Sequence, residues 1–109
     1  IGSLQDNRTA TIEKTPEKTT LFNSAETDYI ICANHYQGKE FENDAINLQN
    51  IKNSSSAYRF KHLKQLIEYQ PKLSVLDAAK ILRNQKGINE SNIGMGNEKA
   101  LLQAQVSFW

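Results

Sequence analysis

The sequence predicts a small α+β domain, with antiparallel strands first and a pair of helices after them. Three observations carry this. Short β-branched segments, ATIEK and TTLF, flank a polar turn containing Pro16. The stretch 54–69 places Phe60, Leu63, Leu66 and Ile67 at helical spacing. A second apolar stripe, Val75, Ala78, Ala79 and Leu82, follows directly on the helix-start signal SVLD.

Taken in order, residues 10–14 (ATIEK) alternate weakly and suit a pleated surface. The polar TPEKTT predicts a turn, and the strand pattern resumes at residues 20–22. A second turn is expected at residues 23–27. Residues 29–33 (YIICA) are a near-continuous apolar run, which predicts a further strand covered on both faces. The first part of the chain is thus expected to be a meander of two or three strands. Residues 37–53 are polar, carry asparagine at 43, 47, 50 and 53, and show no period. They predict a long loop, with a short turn of helix at residues 44–48. Residues 54–69 predict a helix capped by Ser54 or Ser55 and closed off by Pro71. The second helix is expected from Ser74 to near Asn84, its alanines permitting close approach to a neighbour and Gly87 lying just beyond its end. After the loop NESNIGMGNE, Leu102, Ala104, Val106 and Phe108 alternate with Gln103, Gln105 and Ser107, which predicts a last strand. A helix running on from Glu98 is the rival, because ALLQAQ has high helix propensity.

Composition narrows the function classes. At 109 residues the chain suffices for one domain, and 39% apolar with 23% charged residues fits a globular protein. A net charge of +1 gives no general electrostatic reason to bind nucleic acid or an anionic membrane. No apolar run approaches the roughly 20 residues of a spanning helix, and IGSLQDNRTA lacks the basic and apolar regions of a signal peptide. The single cysteine, Cys32, excludes a disulfide framework and a zinc site built on several thiolates. No cofactor and no metal are expected. Three N-x-[ST] triplets, at Asn7, Asn53 and Asn89, are expected by chance in a chain this rich in Asn and Ser. A start at Ile1 and a stop at SFW lead to the expectation of a piece of a longer protein or a processed product.

Two residues stand out as candidates for chemistry. Asn34 ends the apolar run, where a rigid strand could present its amide as a preorganised donor to a developing oxyanion; the plainer reading is a strand-end residue bonded to the next turn. Arg59 falls on the apolar arc of the first helix, where an unpaired guanidinium is costly. It is either a fixed cation at a site, holding a carboxylate or lowering a thiol's pKa, or a first-turn arginine reaching out to water. Cys32 with His35 as base is weaker, because the two should face opposite sides of a strand. His62 lies off the apolar stripe and is expected to be solvated. GMGN lacks the Lys-Ser/Thr of a phosphate loop, and a nucleotide-binding module ranks far behind other readings.

The order of these segments resembles a known family. ANHYQG, a polar loop, SSSAYRF opening a helix through LKQLIE, then DAAKILRNQKG and IGMGNEKA, look like the acyl-coenzyme A:6-aminopenicillanic acid acyltransferase family. These are cysteine N-terminal-nucleophile hydrolases related to choloylglycine hydrolases and penicillin V acylases. The upstream ATIEKTPEKT resembles the family's stretch before the Asn-bearing strand, so the resemblance runs over residues 8–100. It implies part of a four-layer αββα sandwich, formed here by a single partial domain over residues 1–109. It implies a cysteine freed as a new N-terminus by self-cleavage, with its own α-amino group as base. Asn34 would match the oxyanion-hole asparagine and Arg59 the arginine near the nucleophile, with His35 and Tyr36 contacting a small-molecule amide or acyl substrate. The chain departs from the family in three ways. Residues 1–31 contain no cysteine, Ala33 stands where many relatives carry threonine, and LLQAQVSFW differs from the usual continuation. The expectation is therefore a fragment of a cysteine amidohydrolase or acyltransferase, without the nucleophile strand and the later strands, whose first partner is the rest of its own domain. The alternative is a non-catalytic, truncated or degenerate copy acting as a binding or structural module.

Overall fold

The β-branched segments pair as expected. In a computed structural model that describes residues 1–23, 28–70, 72–94 and 96–101, strands β1 (Gly2–Ser3), β2 (Arg8–Lys14) and β3 (Thr19–Asn23) form an antiparallel sheet in the order β1-β2-β3. The β2–β3 turn is closed by Thr15, whose N–H donates to the Lys18 carbonyl at 2.8 Å and whose Oγ1 accepts from the Lys18 N–H at 3.0 Å. At the β1–β2 turn Asn7 takes φ 50°, a left-handed value that asparagine tolerates.

The register sets which side chains share a face. Ile12 pairs with Leu21 and Glu13 with Thr20, so the apolar pair and the polar pair lie on opposite sides of the ribbon. The polar side is the buried one. Glu13 is 7% exposed, whereas Leu21 is 61% exposed.

Residues 29–33 form no strand, contrary to the expectation from YIICA. Ile31 is buried, but its carbonyl accepts from the Gln37 side-chain amide at 3.1 Å. A side chain thus takes the place that a ladder partner would fill. The expected long loop is corrected in part: it holds a 3-10 turn at Lys39–Phe41, and the short turn of helix expected at residues 44–48 is the start of a longer helix, α1, at Ala45–Asn53. Asp44 caps α1 by accepting from the Asn47 N–H at 2.8 Å. The sequence showed no apolar period there because the helix buries an asparagine, Asn47.

The chain divides into two compact units, Ile1–Ser54 and Ser55–Trp109. The second contains α2 (Ser56–Tyr69) and α3 (Val75–Leu82). Ser55 precedes α2 but makes no capping bond; its hydroxyl donates to Glu98 Oε1 at 2.7 Å. Ser74 and Asp77 complete the capping box expected at α3. The apolar face assigned to α3 is only partly covered, since Val75 and Leu82 are exposed and Ala78 and Ala79 half-buried. His62 is a further correction. It is 2% exposed and not solvated, because the buried line of α2 runs through Ser55, Ser56 and His62 rather than along its largest apolar side chains.

The described residues are therefore α+β, with a three-stranded antiparallel sheet and three helices. The turn expected at residues 23–27, beyond Asn23 at the end of β3, the stop at Pro71 and the last strand at 102–108 lie outside the described residues.

Candidate functional site

The first unit contains a cleft of about 530 Å³. Its walls are β2 from Thr11 to Lys14, residues 32–37, and Asn47 and Asn50 from α1. Two buried polar side chains give the loop wall its shape. Glu13 reaches from β2 and accepts the Gln37 N–H at 2.7 Å on one carboxylate oxygen and the Gly38 N–H at 2.8 Å on the other. Asn47 reaches from α1; its Oδ1 accepts the Tyr36 N–H at 2.9 Å, and its Nδ2 donates to the carbonyls of Tyr36 (3.1 Å) and Phe41 (3.3 Å). Residues 36–38 are thus held from both sides by charge-assisted and amide hydrogen bonds. Gly38 is required by the close approach, since a Cβ there would lie 2.9 Å from Thr20 Cγ2 and 3.0 Å from Glu13 Oε2.

Three of the four predicted site residues meet in this cleft. Asn34 is exposed on its wall, two residues before the clamp. His35 is half-buried; burial pushes its imidazole below the ordinary histidine value, and the nearby Glu13 charge pulls partly the other way. Near pH 7 this imidazole is neutral and can accept a proton. Tyr36 is committed to the scaffold: its hydroxyl donates to the Lys14 carbonyl at 3.0 Å, and its ring stacks on the buried Phe41 with centroids 4.4 Å apart.

The Cys32 thiol is exposed and lies 3.4 Å from Thr11 Oγ1. The expectation that Cys32 and His35 face opposite ways assumed a regular strand. Without one, both line the cleft. No protein-family model, curated protein or solved structure matches this chain.

Arg59 belongs to the second unit. It is half-buried on α2 and donates from Nη1 to the Glu98 carbonyl at 2.6 Å. Ser55 holds the Glu98 carboxylate, so both ends of this small network are fixed. The need for a partner, argued from its place on the apolar arc, is met by a backbone carbonyl. Among the described residues, no group of three or more His, Cys, Asp or Glu side chains comes together to hold a metal, and no helix is long and apolar enough to cross a membrane.

Sequence reasoning missed Glu13 and Asn47. Glu13 carried a faint signal, since β2 alternation puts it on the side opposite Ile12. Asn47 carried one too, standing three residues after an Asp that can cap a helix.

Proposed function

We propose that this chain is part of a cysteine N-terminal-nucleophile amidohydrolase or acyltransferase, and that the cleft of its first unit receives the acyl group of a linear amide. The observation that supports this most is the position of Asn34. Its amide stands on the cleft wall immediately before a segment clamped by Glu13 and Asn47. A donor that needs no reorganisation is what oxyanion stabilisation requires.

In this proposal a cysteine freed upstream of these residues attacks the amide carbonyl. A carbon–sulfur bond forms, and the Asn34 amide N–H donates to the oxyanion. The α-amino group of that cysteine takes the thiol proton and passes it to the leaving amine as the carbon–nitrogen bond breaks. Water or a second amine then takes the acyl group. His35 and Tyr36 contact the substrate.

A second reading is a binding module without chemistry. One observation favours it: much of the polar equipment lining the cleft, Glu13, Asn47 and the Tyr36 hydroxyl, is used to hold the loop.

The two readings separate on the natural product of the full coding sequence. An amidohydrolase begins at a cysteine upstream of Ile1, cleaves an N-acyl 4-nitroanilide, and loses turnover when that cysteine is alkylated. A product without an upstream cysteine, and without turnover on such amides, overturns the proposal.

A further inference from the structure

The second unit buries a histidine that the proposed chemistry does not use. His62 is 2% exposed, and its Nδ1 has no hydrogen-bond partner among the described residues. A turn is held at two points on the face of α2 that carries this histidine. The Ile88 N–H donates to the Tyr58 hydroxyl at 2.9 Å, and Gln65 Nε2 donates to Asn89 Oδ1 at 3.0 Å. Residues 58, 62 and 65 lie on one helical stripe, so His62 sits between the two attachment points.

The same turn is strained. Asn89 (φ 57°, ψ 38°) and Glu90 (φ 61°) are adjacent non-glycine residues in the left-handed region. Such a conformation is unfavourable for a glutamate and persists only where its surroundings impose it. At the start of the turn Gly87 is packed tightly, a Cβ there falling 2.6 Å from the Tyr58 hydroxyl oxygen. Beyond it Gly94 and Gly96, at φ 82° and 71°, have nothing within 4 Å of a would-be Cβ.

We propose that the Ile88–Glu90 turn is an acid-released latch: it closes over the neutral imidazole of His62 and opens when that ring takes a proton. A charged ring in the closed form would carry an N–H at Nδ1 with no acceptor among the described residues. Opening relieves the left-handed pair and lets the imidazolium meet Glu90 in water. The ionisable groups around His62 fit this. Glu90, in the turn, is the charge that favours its protonation. Tyr58 stands edge-on to the ring with centroids 6.4 Å apart, and the Lys99 ammonium lies 5.4 Å from the Tyr58 ring centroid. Along α2, Lys61 is exposed and Lys64 pairs with Glu68 at 3.8 Å.

The sign follows from the cause. Burial, opposed in part by Glu90, lowers the His62 value below 6.5 in the closed form. Above that pH both forms are neutral there and the latch is fully closed. As pH falls below it, the open form binds a proton that the closed form does not, and closure weakens. Glu40 and Asp77 are also held below their ordinary values by hydrogen bonds to the backbone, Thr20 and Ser74. As carboxylates they enter only below about pH 4, so the two windows do not overlap.

The chain has two histidines, which makes the test clean. Hydrogen exchange of the full chain, corrected for intrinsic rates, is compared at about pH 7.5 and about pH 5.5. Protection at the Gly87, Ile88 and Ser91 amides is expected to drop several-fold, by about tenfold at most, at the lower pH. His35→Gln keeps this drop, and His62→Phe, which retains an apolar ring, abolishes it. Equal protection of the parent at both pH values, or a full drop in His62→Phe, overturns the proposal. Should His62→Phe fail to fold, the His62 ring signal of the parent decides by NMR. Titration below the free-histidine value together with shifts at the 88–91 amides is expected; titration at the free value with those amides unmoved overturns it.

Discussion

The two units bury polar groups in opposite ways. In the first, the buried polar anchors among the described residues are answered. Glu13 receives two backbone N–H groups, Asn47 makes three hydrogen bonds beyond its own capping contact, and the Thr20 hydroxyl donates to Glu40 Oε2 at 3.0 Å. In the second, the largest buried polar side chain, His62, is left with an unanswered nitrogen among the described residues. The difference teaches what each buried group is for. A fully satisfied network fixes one loop geometry, which suits a wall that must present Asn34 in one place. An incompletely satisfied one leaves a small chemical change able to alter the balance. Buried apolar residues are few among those described, Ile31, Phe41 and Ala100, so hydrogen bonds carry much of the local specificity in both units.

The comparison breaks most readily at Glu13. Replacing it with alanine removes two charge-assisted bonds and leaves the Gln37 and Gly38 N–H groups without their acceptor. The expected cost is about 3 kcal/mol in the first unit, read as a lower urea midpoint with an unchanged slope. Glu13→Gln should recover part of this, because an amide offers one oxygen where the carboxylate offers two. A loss under about 1 kcal/mol would mean that water serves the loop as well as Glu13 does, and the first unit would then resemble the second. A smaller effect is expected at Tyr58→Phe. It removes the acceptor of the Ile88 N–H while keeping the ring against His62. The second unit should lose about 1 kcal/mol, with faster exchange confined to the turn. An effect as large as that at Glu13 would show that the turn is as rigidly held as the cleft wall.

These contrasts also explain what could be read from the sequence. The β2–β3 hairpin, the two later helices and the SVLD capping box were legible because each rests on local chemistry: β-branched runs, a polar turn containing Pro16, a 3.6-residue period and a Ser-x-x-Asp start. Two of the misreadings share one reason, that polarity was taken as a sign of exposure. Helix α1 was read as mostly loop because its buried residue is Asn47. His62 was placed in solvent because hydrophobicity alone was used to find the buried side of α2. YIICA was read as a strand because apolar runs often are, yet a strand needs a ladder partner, and Gln37 supplies only a side-chain bond to Ile31. The grouping of Asn34, His35 and Tyr36 was visible as neighbours in sequence. The Glu13 and Asn47 clamps that hold the adjoining residues 36–38 are pairings over long separations, which a single sequence does not display.

The measurement that bears most directly on the proposed role of Asn34 is kcat of the natural full-length protein on an N-acyl 4-nitroanilide, parent against Asn34→Ala. Loss of one oxyanion donor is expected to lower kcat roughly 10²–10³-fold, with KM little changed. An Asn34→Ala protein that folds equally well and turns over at the parental rate contradicts the assignment of this cleft to acyl chemistry.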